Sequence, residues 1–344
     1  MKVLLVYPNV MGVCKLPLGL AYISACLKVK GHKVSILDTT FGVTEEEVVQ
    51  SGKDIDFVGV SVMTLQLEQA KWISHLLKDV YGMPILWGGN HPTMRPADCI
   101  TDECVDMVCI GEGEQAMVEL RDRLDGGKDI TKVKNIWVKA DGIIHQNPVR
   151  PLLQNLDSLP WPDRDIFDKR HLCPNTGSIV SGSRGCPYRC GYCINDKLGK
   201  LYSEKGSSVS HRSVDSLLDE FEMMTQRYGV KFFEFADETF TLRKKWVLDF
   251  CDKYKRRIGL PFIFQTRCDN VDQETLSAVR EAGCSKLSFG IESGNEKFRN
   301  DILGRKMGDN EVLAAFKMAT DLGFEVCSFN MVGMPYETEE MIVD

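Results

Sequence analysis

Short apolar runs alternating with longer amphipathic stretches recur in two blocks, and that alternation leaves few folds open. In the first block the runs are Val3 to Tyr7, Lys33 to Leu37, Phe57 to Val62, Pro84 to Trp87 and Met107 to Ile110. Helical stretches at Leu18 to Lys30, Leu67 to Asp79 and Glu114 to Leu124 lie between them. Runs this uniformly rich in Val, Ile, Leu or Met read as strands buried on both faces, and strand-helix alternation predicts a parallel sheet covered by helices. The second block begins at Gly177. Its strands are Ser178 to Ser183, Lys231 to Ala236, Phe262 to Arg267, Lys286 to Ile291 and Glu325 to Val332. Helices are expected at Val214 to Tyr228, Lys244 to Ile258, Gln273 to Ala282 and Asn310 to Leu322. Repeated units of this length suggest a (β/α) barrel or part of one.

The expected fold is therefore α/β, with a doubly wound domain over residues 1–125 and a partial barrel over 177–344. Residues 126–176 between them read as a hairpin and an interdomain linker. The hairpin, Asn135 to His145, turns at Asp141-Gly142. After it, the run Leu156 to Pro162 cannot be a helix interior, because Pro160 and Pro162 remove donors and fix an extended path.

A length of 344 residues suits two domains. The net charge of -7 offers no basic field for a phosphate backbone, so nucleic acid is not expected as a partner and a small-molecule substrate is. The apolar run at the amino terminus, Met1 to Tyr7, is too brief for a signal peptide or a membrane span, which makes the cytoplasm the expected location. Thirteen cysteines, an odd number, argue for thiols rather than a disulfide framework. Cys26, Cys251, Cys284 and Cys327 fall in apolar-periodic stretches and read as small buried hydrophobes.

In sheets of this kind ligands bind outside the carboxyl ends of the strands. Four loops rich in Gly and Pro meet there in the first block: Pro8 to Pro17, Ser61 to Thr64, Gly88 to Thr93 and Gly111 to Glu114. In the second block the first strand runs into Arg184-Gly185-Cys186-Pro187-Tyr188-Arg189-Cys190-Gly191-Tyr192-Cys193. One short loop can wrap three thiolates around a metal centre, and soft thiolates suit either an iron-sulfur cluster or zinc. Structural zinc needs a fourth Cys or His at a suitable spacing, and none is evident nearby. Three ligands instead leave one corner of a 4Fe-4S cluster open.

The CxxxCxxC spacing, with an aromatic residue before the last Cys and a series of strand-helix units after it, resembles the radical S-adenosylmethionine (SAM) superfamily. The resemblance implies a 4Fe-4S cluster on Cys186, Cys190 and Cys193, with SAM chelated at the open iron and Tyr192 against its adenine. It further implies that the acidic pair Asp237-Glu238 serves the SAM ammonium, Glu238 foremost, and that Arg267 serves its carboxylate. Helix capping by Asp237 and a surface salt bridge of Arg267 are the structural alternatives. Glu292 and Ser293 resemble the ribose-contacting motif, and Val332 and Gly333 lie in a stretch similar to the one beside the adenine.

The first block resembles the cobalamin-binding, Rossmann-like or flavodoxin-like domain found upstream of many radical SAM cores. On that resemblance Ser61, Thr64, Gly88, Gly89, His91, Gly111, Glu112 and Gly113 contact cobalamin. The Asp-x-His-x-x-Gly stretch that supplies an axial imidazole in other cobalamin enzymes is absent, so no protein His is expected on cobalt. The implied activity is methylation of an unreactive carbon or phosphorus of a small biosynthetic intermediate or lipid, with a flavodoxin or ferredoxin as electron donor. Cyclisation or rearrangement without methyl transfer is the nearest alternative, and a cobalamin-sensing module is another. Radical SAM cores usually have six strand-helix units and this chain supplies five before Asp344, so a longer enzyme or an edge-covering partner is expected.

Overall fold

The computed structural model describes residues 1–203 and 207–343. It divides into two units, Met1–Leu153 with Ser158–His171, and Gln154–Asp157 with Leu172–Asp344.

The first unit is built on a seven-stranded sheet. Its strands are β1 (Lys2–Tyr7), β2 (Lys33–Asp38), β3 (Phe57–Ser61), β4 (Ile85–Gly88), β5 (Met107–Cys109), β6 (Ile136–Ala140) and β7 (Ile143–His145). They lie in the order β2-β1-β3-β4-β5-β6-β7. β1 pairs in parallel with both β2 and β3, so the winding reverses there and a crevice opens at the carboxyl ends of β1 and β3. Val3 to Val6, Phe57, Val58 and Ile85 to Trp87 are buried, as strands covered on both faces require. The Trp87 indole N–H keeps its hydrogen bond inside the core by donating to Ser74 Oγ at 2.9 Å.

The hairpin forms where expected, with Asp141 and Gly142 both at positive φ (50° and 74°) in its turn. It is not part of a connecting strap. β6 pairs antiparallel with β5, so the edge that β5 would leave bare is covered and the first unit continues well beyond residue 125. A helix at Glu45–Ser51 also departs from expectation. Thr44 Oγ1 accepts the Glu47 N–H and the Glu47 carboxylate accepts the Thr44 N–H, a reciprocal cap spelled by Thr44-Glu45-Glu46-Glu47.

The second unit holds a five-stranded parallel sheet of β8 (Ser178–Val180), β11 (Phe233–Phe235), β12 (Phe262–Thr266), β13 (Cys284–Glu292) and β14 (Glu325–Asn330), in the order β14-β13-β12-β11-β8. A small antiparallel pair, β9 (Ser183–Arg184) with β10 (Ser210–His211), follows β8. Helices Val214–Tyr228, Lys244–Arg257, Gln273–Glu281 and Asp309–Asp321 complete the strand-helix units, a partial (β/α) barrel. Its core is aromatic. Phe221 stacks on Phe233 at 4.3 Å between centroids, and Phe235, Phe250, Tyr254 and Phe262 pack edge to face around them. No disulfide joins the cysteines among the described residues, and Cys251 and Cys284 are buried while Cys26 and Cys327 are half-buried. Among the described residues no helix is long and apolar enough to cross a membrane.

Candidate functional site

The cysteine loop leaves β9 through Gly185 at φ 84°, where an added Cβ would lie 2.1 Å from the Ser208 carbonyl oxygen. No residue with a side chain fits that turn without moving backbone. The loop closes on itself through Cys193 N–H donating to the Cys190 carbonyl at 3.0 Å, and the helix Ile194–Leu201 follows at once.

Each of the three thiols has a polar neighbour from a different part of the unit. Cys186 Sγ lies 3.9 Å from the Thr239 hydroxyl, Asn195 Nδ2 donates to Cys193 Sγ at 3.6 Å, and Arg267 Nη1 donates to Cys190 Sγ at 3.7 Å. The two donors aimed at sulfur, from Asn195 and Arg267, suit thiolates in a cluster. Burial pushes the Cys186 thiol up, with help from the Glu238 carboxylate and against the pull of the Tyr188 N–H and the Thr239 hydroxyl.

Among the described residues, the group whose three ligand atoms lie within 4.8 Å of one another is His75, Asp102 and Cys104, not the loop thiols. In the His75 group, Asp102 Oδ1 already accepts the Cys104 N–H and S–H, and His75 lies 3.1 Å away, an ordinary capped turn.

The acidic pair after β11 separates into two environments. Asp237 is fully buried, with one carboxylate oxygen accepting the Gly182 N–H at 3.0 Å and the other the Ser183 hydroxyl. It ties down the chain just ahead of the cysteine loop. Burial raises its pKa to about 6 against the pull of those two bonds. Glu238 is reachable by solvent yet walled by protein, so that desolvation raises its pKa while its own and the Gly185 N–H oppose the shift. Of the two, Glu238 is the one left open toward the loop.

β13 ends in strain. Its register with β14 shifts between Gly290 and Glu292, and Glu292 takes φ 74°, a conformation that costs a non-glycine residue about 1–3 kcal/mol and marks functional sites. The Glu292 carboxylate lies 3.4 Å from Arg305 Nη1, which also donates to the Tyr192 hydroxyl at 2.5 Å. Burial raises the Glu292 and Tyr192 pKa values, and Arg305 opposes both. Ser293 Oγ and Arg305 Nε are buried with no partner among the described residues. Orphaned polar atoms beside a strained carboxylate suit a ligand that supplies the missing bonds.

Arg305 is thus a site residue that sequence reasoning misses, as is Arg299. Arg299 holds the loop behind the site by donating to the Ser293, Gly294 and Met307 carbonyls at 2.9, 3.0 and 3.0 Å. Neither follows a strand end, where the sequence signal lies. Farther along, Val332 is exposed and Gly333, at φ 79°, donates its N–H to the Glu337 carboxylate at 2.6 Å. Arg267 is buried, with Nε and Nη2 on the Asp269 carboxylate at 2.8 and 2.7 Å, so its fork is occupied within the protein.

In the first unit, the loops after β3, β4 and β5 are stitched together. Val62 N–H donates to Gly88 O at 2.8 Å, His91 N–H to Val62 O at 3.0 Å and Gly111 N–H to Thr93 Oγ1 at 3.0 Å. Gly89, at φ 99°, passes so close that a Cβ would sit 3.0 Å from Val62 O and 3.4 Å from Ser61 Oγ. Gly113 is similarly confined, by Ile23 at 3.1 Å. The Glu112 carboxylate accepts the Leu153 N–H at 2.8 Å, which fixes the loop after β5. His91 Nδ1 is hydrogen-bonded to the Thr64 hydroxyl at 3.1 Å, and burial lowers its pKa with help from Arg95 and Lys71, so its ring stays neutral. Met63, Leu65 and Met94 are exposed along these loops, and Val10, Met11 and Val13 along the loop after β1, apolar side chains beside polar backbone. A broad macrocycle with amide substituents fits such a surface.

Comparison with known proteins agrees with this division. Residues 180–344 match the model of the radical SAM superfamily, and residues 6–121 match that of the B12 binding domain. An uncharacterized methyltransferase of Pyrococcus horikoshii is 30% identical over 99% of this chain and 76% of its own length. Cytidylyl-2-hydroxyethylphosphonate methyltransferase of Streptomyces wedmorensis is 27% identical over 94% of this chain and 70% of its own. Among solved structures, the radical SAM methyltransferase TsrM of Kitasatospora setae superposes with a TM-score of 0.83 at 18% identity, over 99% of this chain and 69% of that one.

Proposed function

Because the chain belongs to the radical SAM superfamily and carries a B12-binding domain ahead of that core, we propose that it is a cobalamin-dependent methyltransferase acting at an unreactive carbon or a phosphorus of a small biosynthetic intermediate or lipid. When bound, the 4Fe-4S cluster with SAM supplies one-electron cleavage of a sulfonium carbon-sulfur bond, and cobalamin supplies a transferable methyl group.

The chain's own residues divide the remaining work. Cys186, Cys190 and Cys193 hold the cluster. Glu238 takes the SAM ammonium, because it is the carboxylate of the acidic pair left open, whereas Asp237 anchors Gly182 and Ser183. Glu292, Ser293 and Arg305 face the nucleoside, offering a carboxylate, a free hydroxyl and a free guanidinium N–H. Tyr192, held at its hydroxyl by Arg305, lends an aromatic wall, and the Val332-Gly333 turn another. The glycine-lined loops of the first unit receive cobalamin, with Ser61, Thr64, Gly88, Gly89, Gly111, Glu112 and Gly113 at or directly behind the contact and His91 as a neutral hydrogen-bonding residue. A reduced flavodoxin or ferredoxin supplies the electron.

The observation that carries this reading is the set of three thiols in one loop, each beside its own polar neighbour, next to a strained strand end with unpaired buried polar atoms. Anaerobic reconstitution tests it. About four irons per chain are expected, with 5'-deoxyadenosine and S-adenosylhomocysteine both formed from SAM when a methyl acceptor is present. Deoxyadenosine without S-adenosylhomocysteine would exclude methyl transfer, and zinc locked on the three thiolates would exclude the radical chemistry.

A further inference from the structure

Arg267 directly follows β12, 77 residues from the thiol it touches, and its guanidinium is held on several sides. Nε and Nη2 grip the Asp269 carboxylate, Nη2 also donates to the Arg305 carbonyl at 2.7 Å, and Nη1 points at Cys190 Sγ. Beneath it, the Tyr188 ring lies 3.8 Å from the guanidinium carbon, and the Tyr188 hydroxyl is held in turn by Asn270 Nδ2 at 2.6 Å. Tyr188 belongs to the cysteine loop itself, between Cys186 and Cys190. The planar cation therefore clamps the loop by its aromatic face and by its central thiol together.

We propose that Arg267 is a positioning residue that sets the reduction potential of the cluster through Cys190, rather than a ligand of the SAM carboxylate. The proposal rests on the cluster assignment above. One-electron reduction adds a negative charge to a thiolate-ligated centre, and hydrogen bonds and positive charge at the sulfur favour the more negative state. Asp269 balances the charge of the ion pair as a whole, but the pair is oriented with its N–H end on the sulfur. Of the three polar neighbours of the thiols, Arg267 is the charged one, and its buried setting leaves that charge poorly screened. The bidentate grip of Asp269 and the bond to the Arg305 carbonyl keep the N–H aimed at sulfur.

The test is potentiometric titration with dithionite, followed by electron paramagnetic resonance of the reduced cluster, on reconstituted full-length wild type, Arg267→Gln and Arg267→Lys. Iron content and circular dichroism are measured alongside. Arg267→Gln is expected to lower the midpoint so that about tenfold less cluster is reduced at a fixed potential, equivalent to about 59 mV for one electron. Arg267→Lys should recover part of the shift. An Arg267→Gln cluster at full iron content with an unchanged midpoint overturns the proposal.

Should either variant fail to hold iron, wild-type protein labelled with guanidino-15N arginine decides. A 15N coupling to the reduced cluster supports the contact, and its absence refutes it. Wild type that binds no iron overturns the cluster assignment instead, so the two failures are distinguishable.

Discussion

Asp237 offers a perturbation whose size follows from its surroundings. Its buried carboxylate accepts two bonds, from the Gly182 N–H and the Ser183 hydroxyl, and burial raises its pKa from an ordinary 3.8 to about 6. A folded-state pKa above the unfolded one means that the protonated form suits the fold. The stabilising contribution is full below pH about 4 and is lost as pH rises through about 6, a difference of about 3 kcal/mol from two pKa units.

Asp237→Asn keeps an acceptor for the Gly182 N–H, while the Ser183 hydroxyl can rotate to accept from the new amide, and it removes the titration. The stability of wild type relative to Asp237→Asn should therefore fall by up to about 3 kcal/mol between pH 4 and pH 7, roughly a 1 M movement in urea midpoint. Asp237→Ala strips both donors of their acceptor and should cost about 1–3 kcal/mol for each at every pH. Urea unfolding followed by tryptophan fluorescence at four pH values measures all three proteins. A wild-type-to-Asn difference that stays level with pH, or an alanine variant no weaker than the asparagine one, would refute the reasoning.

Other substitutions probe the loops. Gly185→Ala places a methyl 2.1 Å from Ser208 O at φ 84°, so it should part β9 from β10, lower the melting temperature and reduce iron uptake on reconstitution. The backbone conformation alone costs about 1–2 kcal/mol. Gly89→Val crowds Val62 O at φ 99° and should cut cobalamin uptake, read from corrin absorbance, while the iron content stays at the wild-type level. His91→Ala should leave the cobalt(II) paramagnetic spectrum unchanged, because the chain lacks the Asp-x-His-x-x-Gly stretch that supplies an axial imidazole in other cobalamin enzymes. A strong axial nitrogen coupling present in wild type and lost in the variant would show the opposite.

Much of the architecture is legible from hydrophobic periodicity, because a strand buried on both faces must be apolar at nearly every position. That is why β1 to β5 and the five-stranded second sheet lie close to their expected limits. The Glu45–Ser51 helix is missed because it buries a single side chain, Val48, and so lacks a long apolar stripe. Its cap is nevertheless written in Thr44 and Glu47. The hairpin is visible at its Asp141-Gly142 turn, but its docking partner is not, since edge pairing with β5 is made through backbone groups that every residue shares.

The amino-acid order by itself determined which chemical groups this protein brings to bear and in what sequence they occur: three closely spaced thiols, an acidic pair after a strand, a Gly pair after another. Only the tertiary structure decided what each group faces. Asp237 and Glu238 are adjacent and chemically alike, yet the strand turn buries one under Gly182 and Ser183 and leaves the other open. Arg267 meets Cys190 and Arg305 meets Tyr192 across 77 and 113 residues of chain. Local periodicity encodes which face of an element is buried. The partner of a polar side chain on that face is fixed only when distant segments pack and each buried donor must find an acceptor.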